Sequence, residues 1–178
     1  MAATVVDAEN AAVVGAELRH RWSVNNIATH ENPVWRTKAD FVIQASLARF
    51  GMPERWEQLW ARRVNETTFE ICCIPFFTYG IALGDTVTTE TGRDFEYVVQ
   101  RVVAKGGHKT ARVAVVDPSA ASRLHDEIHS KLEGSFAHEW YALGYVAIDV
   151  ASADQESAIT SLFIEYAKRG EVSYEIEM

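Results

Sequence analysis

The chain has 178 residues, a formal net charge of -8 at pH 7 and a hydrophobic fraction of 48%. That fraction is typical of a folded chain with a core of ordinary size, and it excludes a disordered one. The acidic charge argues against a nucleic-acid partner, because a phosphate backbone would be repelled and basic residues occur at most as adjacent pairs such as Arg62-Arg63.

The sequence also carries none of the signals of a membrane or secreted protein. No segment approaches the roughly 20 consecutive apolar residues of a membrane helix. The N-terminus lacks the basic start and the apolar run of a signal peptide. The only two cysteines, Cys72 and Cys73, are adjacent, so a disulfide between them would be strained and free thiols are expected. We therefore expect a cytoplasmic protein that binds no membrane.

The first 34 residues are rich in alanine and show no sustained hydrophobic period. We expect residues 1–34 to form a poorly ordered arm. Residues 35–110 differ, because apolar residues there recur at every second position, which is the period of a half-buried strand. The clearest alternating positions are Phe41, Ile43, Ala45 and Leu47, followed by Phe69, Ile71 and Cys73. Five such short strands separated by turn signals predict a small β-barrel-like lobe over residues 35–110.

Residues 111–178 carry the signals of two helices among four strands. Asp117-Pro118 is a helix start, and Ser152 with Gln155 is a capping box. Apolar stripes at helical spacing follow both starts: Ala121, Leu124, Ile128 and Leu132, then Ile159, Leu162, Phe163 and Tyr166. The order β-α-β-β-α-β predicts a ferredoxin-like lobe with both helices on one face of its sheet. The expected fold class is therefore α+β, with Leu124, Ile128, Ile159, Leu162 and Phe163 buried.

Four short motifs stand between Leu59 and Arg112. They are Leu59, Trp60 and Ala61; Ile74, Pro75, Phe76 and Phe77; Gly84 and Asp85; and Gly107, His108, Thr110 and Arg112. Together they resemble the pattern of a bacterial family known as domain of unknown function 4265. The chain departs from that pattern at Gly106 and Lys109, where the family usually has serine, and at Cys73, where asparagine is frequent. The resemblance implies membership of the family but no activity.

The motif Gly107-His108-Lys109-Thr110 is the first candidate site, and two interpretations of it stay open. In the first, His108 lies at a junction between lobes and acts as a general base or orients a ligand, with Asp85 as its partner. In the second, Gly106 and Gly107 supply the backbone freedom of a tight connection. The residues after them then fix how the lobes pack. We favour the second, because one histidine and one aspartate on loops are a common occurrence.

Three other groups of residues were weighed as sites. His125 and His129 have the i, i+4 spacing of metalloprotease helices, but no third ligand can be identified, so no metal is expected. Cys72 or Cys73 could be a nucleophile, although one of them must point inward in a strand. The aromatic residues Phe76, Phe77 and Tyr79 either fill a core or line a ligand groove.

The sequence favours a non-enzymatic binding or accessory protein, because no complete acid-base, nucleophile or metal set can be assembled from it. The predicted partner is a peptide, another protein or a small apolar ligand in a cleft between the lobes. The predicted contact residues are Phe76, Phe77, Tyr79, His108, Thr110 and Arg112. No cofactor is expected. The alternative is a hydrolase or lyase that uses His108 with Asp85, Cys72 or Cys73.

Overall fold

The structure, a computed structural model, describes residues 26–177. These residues form ten strands in two sheets, two α-helices and two short 3-10 turns. The strands are β1 (Ile27–Ala28), β2 (Phe41–Ser46), β3 (Trp56–Arg63), β4 (Thr68–Ile71), β5 (Thr86–Glu90), β6 (Val98–Ala104), β7 (Lys109–Val115), β8 (His138–Ala142), β9 (Tyr145–Val150) and β10 (Val172–Ile176). The helices are α1 (Ala121–Leu132) and α2 (Ala153–Lys168). The mixed α+β class predicted from the sequence is confirmed.

The larger sheet closes into a ring of hydrogen-bonded strands. Its order is β1-β3-β2-β6-β5-β4, and β3 also pairs with β4, so strands β2 to β6 form a circuit. Every pairing in the circuit is antiparallel except that of β2 with β6, which is parallel and consists of the single pair Gln44 and Val98. The strand β6 also has two extra residues relative to β5, which are β-bulges. The ring is therefore weakest between β2 and β6.

The smaller sheet is antiparallel, with the order β10-β7-β9-β8. The helix α2 begins at its predicted cap, whereas the predicted cap Asp117 begins a 3-10 turn that precedes α1. The Asp117 carboxylate accepts a hydrogen bond from the amide of Ser119 at the 3-10 turn Pro118–Ala120, which leads into α1. At α2 the Ser152 hydroxyl accepts from the amide of Gln155. Short polar side chains thus satisfy the first free amides of α2 and of the 3-10 turn, while α1 continues from that turn with Ala120 at its N-cap.

Both helices pack against the same face of the smaller sheet. Leu124, Ile128, Ile159 and Phe163 are fully buried in one cluster with side chains of β7 and β9. Leu162 differs from the expectation, because it is only partly buried at the margin of that cluster. A residue next to Phe163 is turned about 100° round the helix, and this places it at the edge of the apolar stripe.

The opposite face of the smaller sheet packs on the ring. All six residues of β9 are buried, because helices cover one face of this strand and the ring covers the other. The chain between β4 and β5 fills the space between the two sheets, and we call this contact zone the seam. The apolar residues of the seam are Ala28, Leu47, Ile74, Phe76, Phe77, Ala114, Tyr145 and Ala147.

The poorly ordered arm expected over residues 1–34 does not extend over residues 26–34, which belong to the folded chain. Residues 1–25 lie outside the described residues, but Asn26 and the residues after it are part of the folded chain. The strand β1 pairs with β3 through Ile27 and Ala28, and His30 is buried in the seam. Two-residue strands leave no period for a sequence pattern to reveal. Among residues 26–177, no helix combines the length and the apolar character needed to span a membrane.

Candidate functional site

Asp85 holds the connection between β6 and β7 in place. Its buried carboxylate accepts hydrogen bonds from the amides of Ala82 (3.0 Å) and Gly106 (2.8 Å), and from the Lys105 ammonium (2.9 Å). Gly106 lies so close to Gly84 that a Cβ atom at position 106 would stand 2.4 Å from the Gly84 carbonyl carbon. Gly107 has a φ of +86°, which side chains disfavour. The two glycines and Asp85 therefore act together as a tight backbone joint.

His108 pairs with Asp149 in the structure and not with Asp85. Its Nδ1 atom lies 2.8 Å and 3.0 Å from the two carboxylate oxygens of Asp149. The ring stands edge-on to Trp35, and 21% of the side chain remains exposed. Burial raises the pKa of Asp149, and the hydrogen bond from His108 opposes that rise. The pair orients the imidazole, with Nε2 left for another partner.

Thr110 and Arg112 follow His108 on the same face of β7 and are both buried. The Arg112 guanidinium donates to the carbonyl oxygens of Phe76 (2.8 Å) and Thr78 (3.0 Å), and it forms an ion pair with Glu177 (2.9 Å). It therefore binds the backbone of the seam to the smaller sheet. Its donors are occupied by the protein itself.

The aromatic residues after Pro75 fill the seam. Phe76 and Phe77 are 1% and 6% exposed, and the rings of Tyr141 and Tyr145 pack against them. Tyr79 is half-buried, with its hydroxyl donating to Glu175 and its ring beneath the Arg112 guanidinium. Two of the expected ligand contacts, Phe76 and Phe77, are thus core residues of the seam, while Tyr79 lines the surface groove described below.

Both cysteines are buried free thiols. Burial raises the pKa of Cys72 to about 11. Burial also raises the pKa of Cys73, against the opposing effect of the neighbouring His30. Since the thiolate is the nucleophile, neither side chain is activated at neutral pH.

A buried triad of His30, Glu57 and Glu139 lies in the seam and was missed by the sequence analysis. The His30 Nδ1 atom is 2.5 Å from a Glu139 oxygen, and Nε2 is 3.1 Å from a Glu57 oxygen. The Phe76 ring stacks on the imidazole at 4.2 Å. A signal existed for Glu57, because it shares the inward parity of Leu59 along β3 and so places a charge at a core position.

The two carboxylates of the triad accept the free amides of the seam. Glu57 accepts from the amides of Phe76, Phe77 and Thr78 and from the Thr78 hydroxyl, over 2.5–3.0 Å. Glu139 accepts from the amides of Val34 and Ile74, at 3.0 Å and 2.8 Å. All four carboxylate oxygens of Glu57 and Glu139 accept hydrogen bonds from the protein itself, so the triad has a structural role.

Protonation states in the triad follow from its burial and its bonds. Burial alone would lower the pKa of His30, but Cys73, Glu139 and Glu57 raise it well above its ordinary value. For Glu57 burial acts to raise the pKa, and the bonds from His30, Thr78 and Phe76 outweigh this and lower it. The raised pKa of His30 and the lowered pKa of Glu57 both support an imidazolium between two carboxylates.

His125 and His129 lie on α1 beside two residues of β8. Their rings stack at 6.0 Å, and His129 Nδ1 is 3.2 Å from His138 Nε2. Burial lowers the pKa of His125, whose ring packs on Trp140 at 4.1 Å. Within residues 26–177, no group of three or more histidine, cysteine, aspartate or glutamate side chains is arranged to hold a metal ion.

A groove of about 550 Å³ opens on the surface of the ring. It is lined by Arg49, Phe50, Tyr79, Gly80, Ile81, Val99, Gln100, Arg101 and Val102. Ile81, Val99 and Val102 belong to the apolar cluster of the ring or pack against it, so they form an apolar floor. The Arg49 guanidinium lies over the Phe50 ring at 4.6 Å and donates to the Tyr79 carbonyl oxygen. The groove thus combines apolar, aromatic and cationic side chains.

The groove lies where the ring is incompletely paired. One wall is the turn at Arg49 and Phe50, which follows β2, and the other wall is the middle of β6, residues 99–102. These two strands pair only through Gln44 and Val98. In the described part of the chain, no backbone hydrogen bond reaches residues 100–104 except from β5.

Comparisons with known proteins give a family and a fold. A family model described as domain of unknown function (DUF4265) matches residues 57–174. A crystal structure of a hypothetical protein from Neisseria gonorrhoeae is similar, with a TM-score of 0.55 and 18% sequence identity. The similarity covers 76% of this chain and 93% of that one, and at this identity it supports the fold alone. No curated protein matches the chain.

Proposed function

The chain belongs to the DUF4265 family, and we propose that it is a non-enzymatic binding protein that holds an extended peptide in the groove beside β6. Three of the candidate catalytic groups support a role without catalysis. The buried Asp85 carboxylate is bonded to the backbone, and burial keeps both cysteine thiols unactivated. The peptide would lie between β6 and the turn at Arg49 and Phe50.

The observation that carries this proposal is the open side of β6. A strand paired on one side only presents amide donors and carbonyl acceptors along its free edge. Main-chain hydrogen bonds to such an edge supply affinity for an extended peptide, and pockets beside it select alternate side chains. The apolar floor of Ile81, Val99 and Val102 provides such a pocket. The bulges in β6 limit the flat stretch, which favours a short segment over a long strand.

The site proposed here differs in position from the inter-lobe cleft expected from the sequence. That space is filled by Phe76, Phe77 and the buried triad. Tyr79 alone of the expected contact residues lines the groove. The class of partner stays the same, because a peptide was among the ligands that the sequence predicted.

The test is N-methylation of a bound peptide. A random octapeptide library displayed on phage is panned against the protein, and a selected peptide is resynthesised with one N-methyl group at each position in turn. Strand addition uses every second amide of the peptide, so methylation should weaken binding about tenfold or more at alternate positions and little between them. The affinities are measured by calorimetry.

Photo-crosslinking then locates the selected peptide. A benzophenone on the peptide should label residues 49–50 or 99–102, as read by mass spectrometry. A period-two response with labelling in the groove supports the proposal. Labelling confined to β8, the edge strand of the other sheet, or a response with no period of two would reject it.

The second candidate function is a hydrolase or lyase built on His108. One observation favours it: Asp149 fixes the imidazole, and the side chain is partly exposed. Such a pair is the base and orienting group of many acid-base sites. The sequence had paired His108 with Asp85, whose carboxylate instead holds the joint.

The variants His108→Ala and Asp149→Asn separate a catalytic from a structural role. A structural His108 should lower the melting temperature when it is removed, and leave peptide binding in the groove unchanged. Hydrolysis of a panel of model esters and amides by the wild type, lost in a His108→Ala protein of unchanged melting temperature, would establish the enzyme.

We propose that the chain consists of a small barrel-like lobe joined to a ferredoxin-like lobe. The closed circuit of β2 to β6 supports the first, and the order β10-β7-β9-β8 with two helices supports the second. The lobes would divide at Gly106-Gly107, between the separate apolar clusters of the ring and the smaller sheet. Two free thiols support a cytoplasmic location.

A further inference from the structure

We infer that the peptide is acidic, an inference that rests on the proposed function and specifies its partner. Carboxylates on the peptide would pair with Arg49 on one wall of the groove and with Arg101 on the other. Both arginines are exposed at the surface and line the same opening.

No carboxylate of the described residues stands within ion-pair distance of Arg49 or Arg101, the two cations of the groove. Most of the other cations are matched. Those paired with carboxylates are Lys38, Arg62, Lys105, Lys109, Arg112, Arg123, Lys168 and Arg169. In a chain with a net charge of -8, two unmatched arginines across one groove form a local positive region.

Two acidic residues, Glu175 and Glu177, bond to lining residues of the groove. None of the nine lining residues is acidic. Glu175 and Glu177 lie behind Tyr79 and Gly80, where Glu175 accepts from the Tyr79 hydroxyl and Glu177 pairs with Arg112. Both carboxylates therefore have partners within the protein, whereas Arg49 and Arg101 have no carboxylate partner among the described residues.

Contacts within the protein position the Arg49 guanidinium at the groove. Its guanidinium is fixed over Phe50 and donates one bond to the Tyr79 carbonyl oxygen, which leaves further donors for a planar carboxylate. Along an extended peptide, side chains on one face recur every second residue, at about 7 Å. A sequence that alternates acidic with apolar residues would thus set its apolar side chains on the floor and its carboxylates on the cationic walls.

The test compares three synthetic octapeptides that share valine at every second position. The positions between carry glutamate, glutamine or lysine. At about 50 mM salt, where screening is weak, we expect the glutamate peptide to bind about tenfold more tightly than the glutamine peptide, and the lysine peptide to bind most weakly. The advantage of the glutamate peptide should shrink in high salt.

Two double variants with the same change of charge complete the design. Arg49→Gln with Arg101→Gln should remove the glutamate advantage and keep the affinity for the glutamine peptide within about twofold. Arg93→Gln with Lys131→Gln, which changes exposed cations outside the groove, should leave the advantage intact.

The outcomes separate the two proposals. Equal affinities for the glutamate and glutamine peptides would overturn the acidic partner, while a period of two in the N-methyl scan would still support the peptide groove. A glutamate advantage that both double variants reduce equally would assign it to overall charge and overturn the inference. Failure of all three peptides to bind would overturn the acidic partner as well. An N-methyl scan with no period of two would reject the peptide groove itself.

Discussion

The seam and the groove are both lined by polar and aromatic residues, yet they differ in what those residues are free to do. In the seam the carboxylates of Glu57 and Glu139 are fully engaged by amides and by His30. In the groove Arg101 and the edge of β6 have no such partners among the described residues. Polar groups that the fold satisfies stabilise it, whereas unsatisfied groups at the surface are available to a ligand.

The largest expected effect is that of Glu57→Gln, which changes the seam without changing its volume. An amide would face four donors and leave His30 with one carboxylate, so we expect a loss of about 3–5 kcal/mol in the free energy of unfolding. Urea denaturation at pH 7 measures it. The control Glu66→Gln, at an exposed turn, should change stability by less than about 0.5 kcal/mol. A similar small loss for both variants would contradict the assigned role of the seam.

The pH dependence of stability should reveal the same triad. The lowered pKa of Glu57 gives stability above its ordinary pKa of about 4.3, which is lost as the pH falls through the folded value. The raised pKa of His30 gives stability below its ordinary pKa of about 6.5, which is lost as the pH rises through the folded value. Unfolding free energies measured across pH should therefore peak between about pH 5 and pH 6.5. A flat profile would refute the imidazolium.

Two glycine variants test the joint beside the seam. Gly106→Ala should cost about 1–3 kcal/mol, because the new methyl group would overlap backbone atoms of Gly84. Gly107→Ala should cost about 1 kcal/mol, because its φ is positive but the space around it is open. Thermal or urea unfolding measures both. The reverse order would mean that backbone conformation at Gly107 matters more than the close approach at Gly106.

The smallest expected effect belongs to the groove. Arg49→Gln and Arg101→Gln should each change the free energy of unfolding by less than about 0.5 kcal/mol, because both side chains are exposed and unpaired with carboxylates. Urea denaturation is again the measurement. A loss of more than about 1.5 kcal/mol in either variant would show that the arginine stabilises the ring. The contrast between groove and seam would then fail.

The sequence predicted those parts of the fold that depend on local pattern. Alternation along β2 and β4 and the capped stripes of α1 and α2 are local signals, and they indicated the elements that the structure contains. The ring closure between β2 and β6, and the burial of both faces of β9, depend on contacts between distant residues. Such contacts leave no short-range period.

The candidate sites were harder to predict for the same reason. His108 was identified as a loop residue, but its partner Asp149 is 41 residues away in the chain. The groove joins Arg49 to Arg101, residues that no spacing rule connects. Glu57 did leave a signal, a charge at an inward strand position, whereas His30 lay in a segment with no pattern at all.

The seam also has a consequence for how the chain folds as it leaves the ribosome. Glu139 bonds to His30 across 109 residues and to the Ile74 amide across 65. The amides of Val34 and Ile74 therefore lack their acceptor until β8 has been synthesised. A nascent chain that ends before β8 would leave the Nδ1 atom of His30 and the Ile74 amide without their partner in an apolar setting. The ring and the smaller sheet should therefore acquire native order together, late in synthesis.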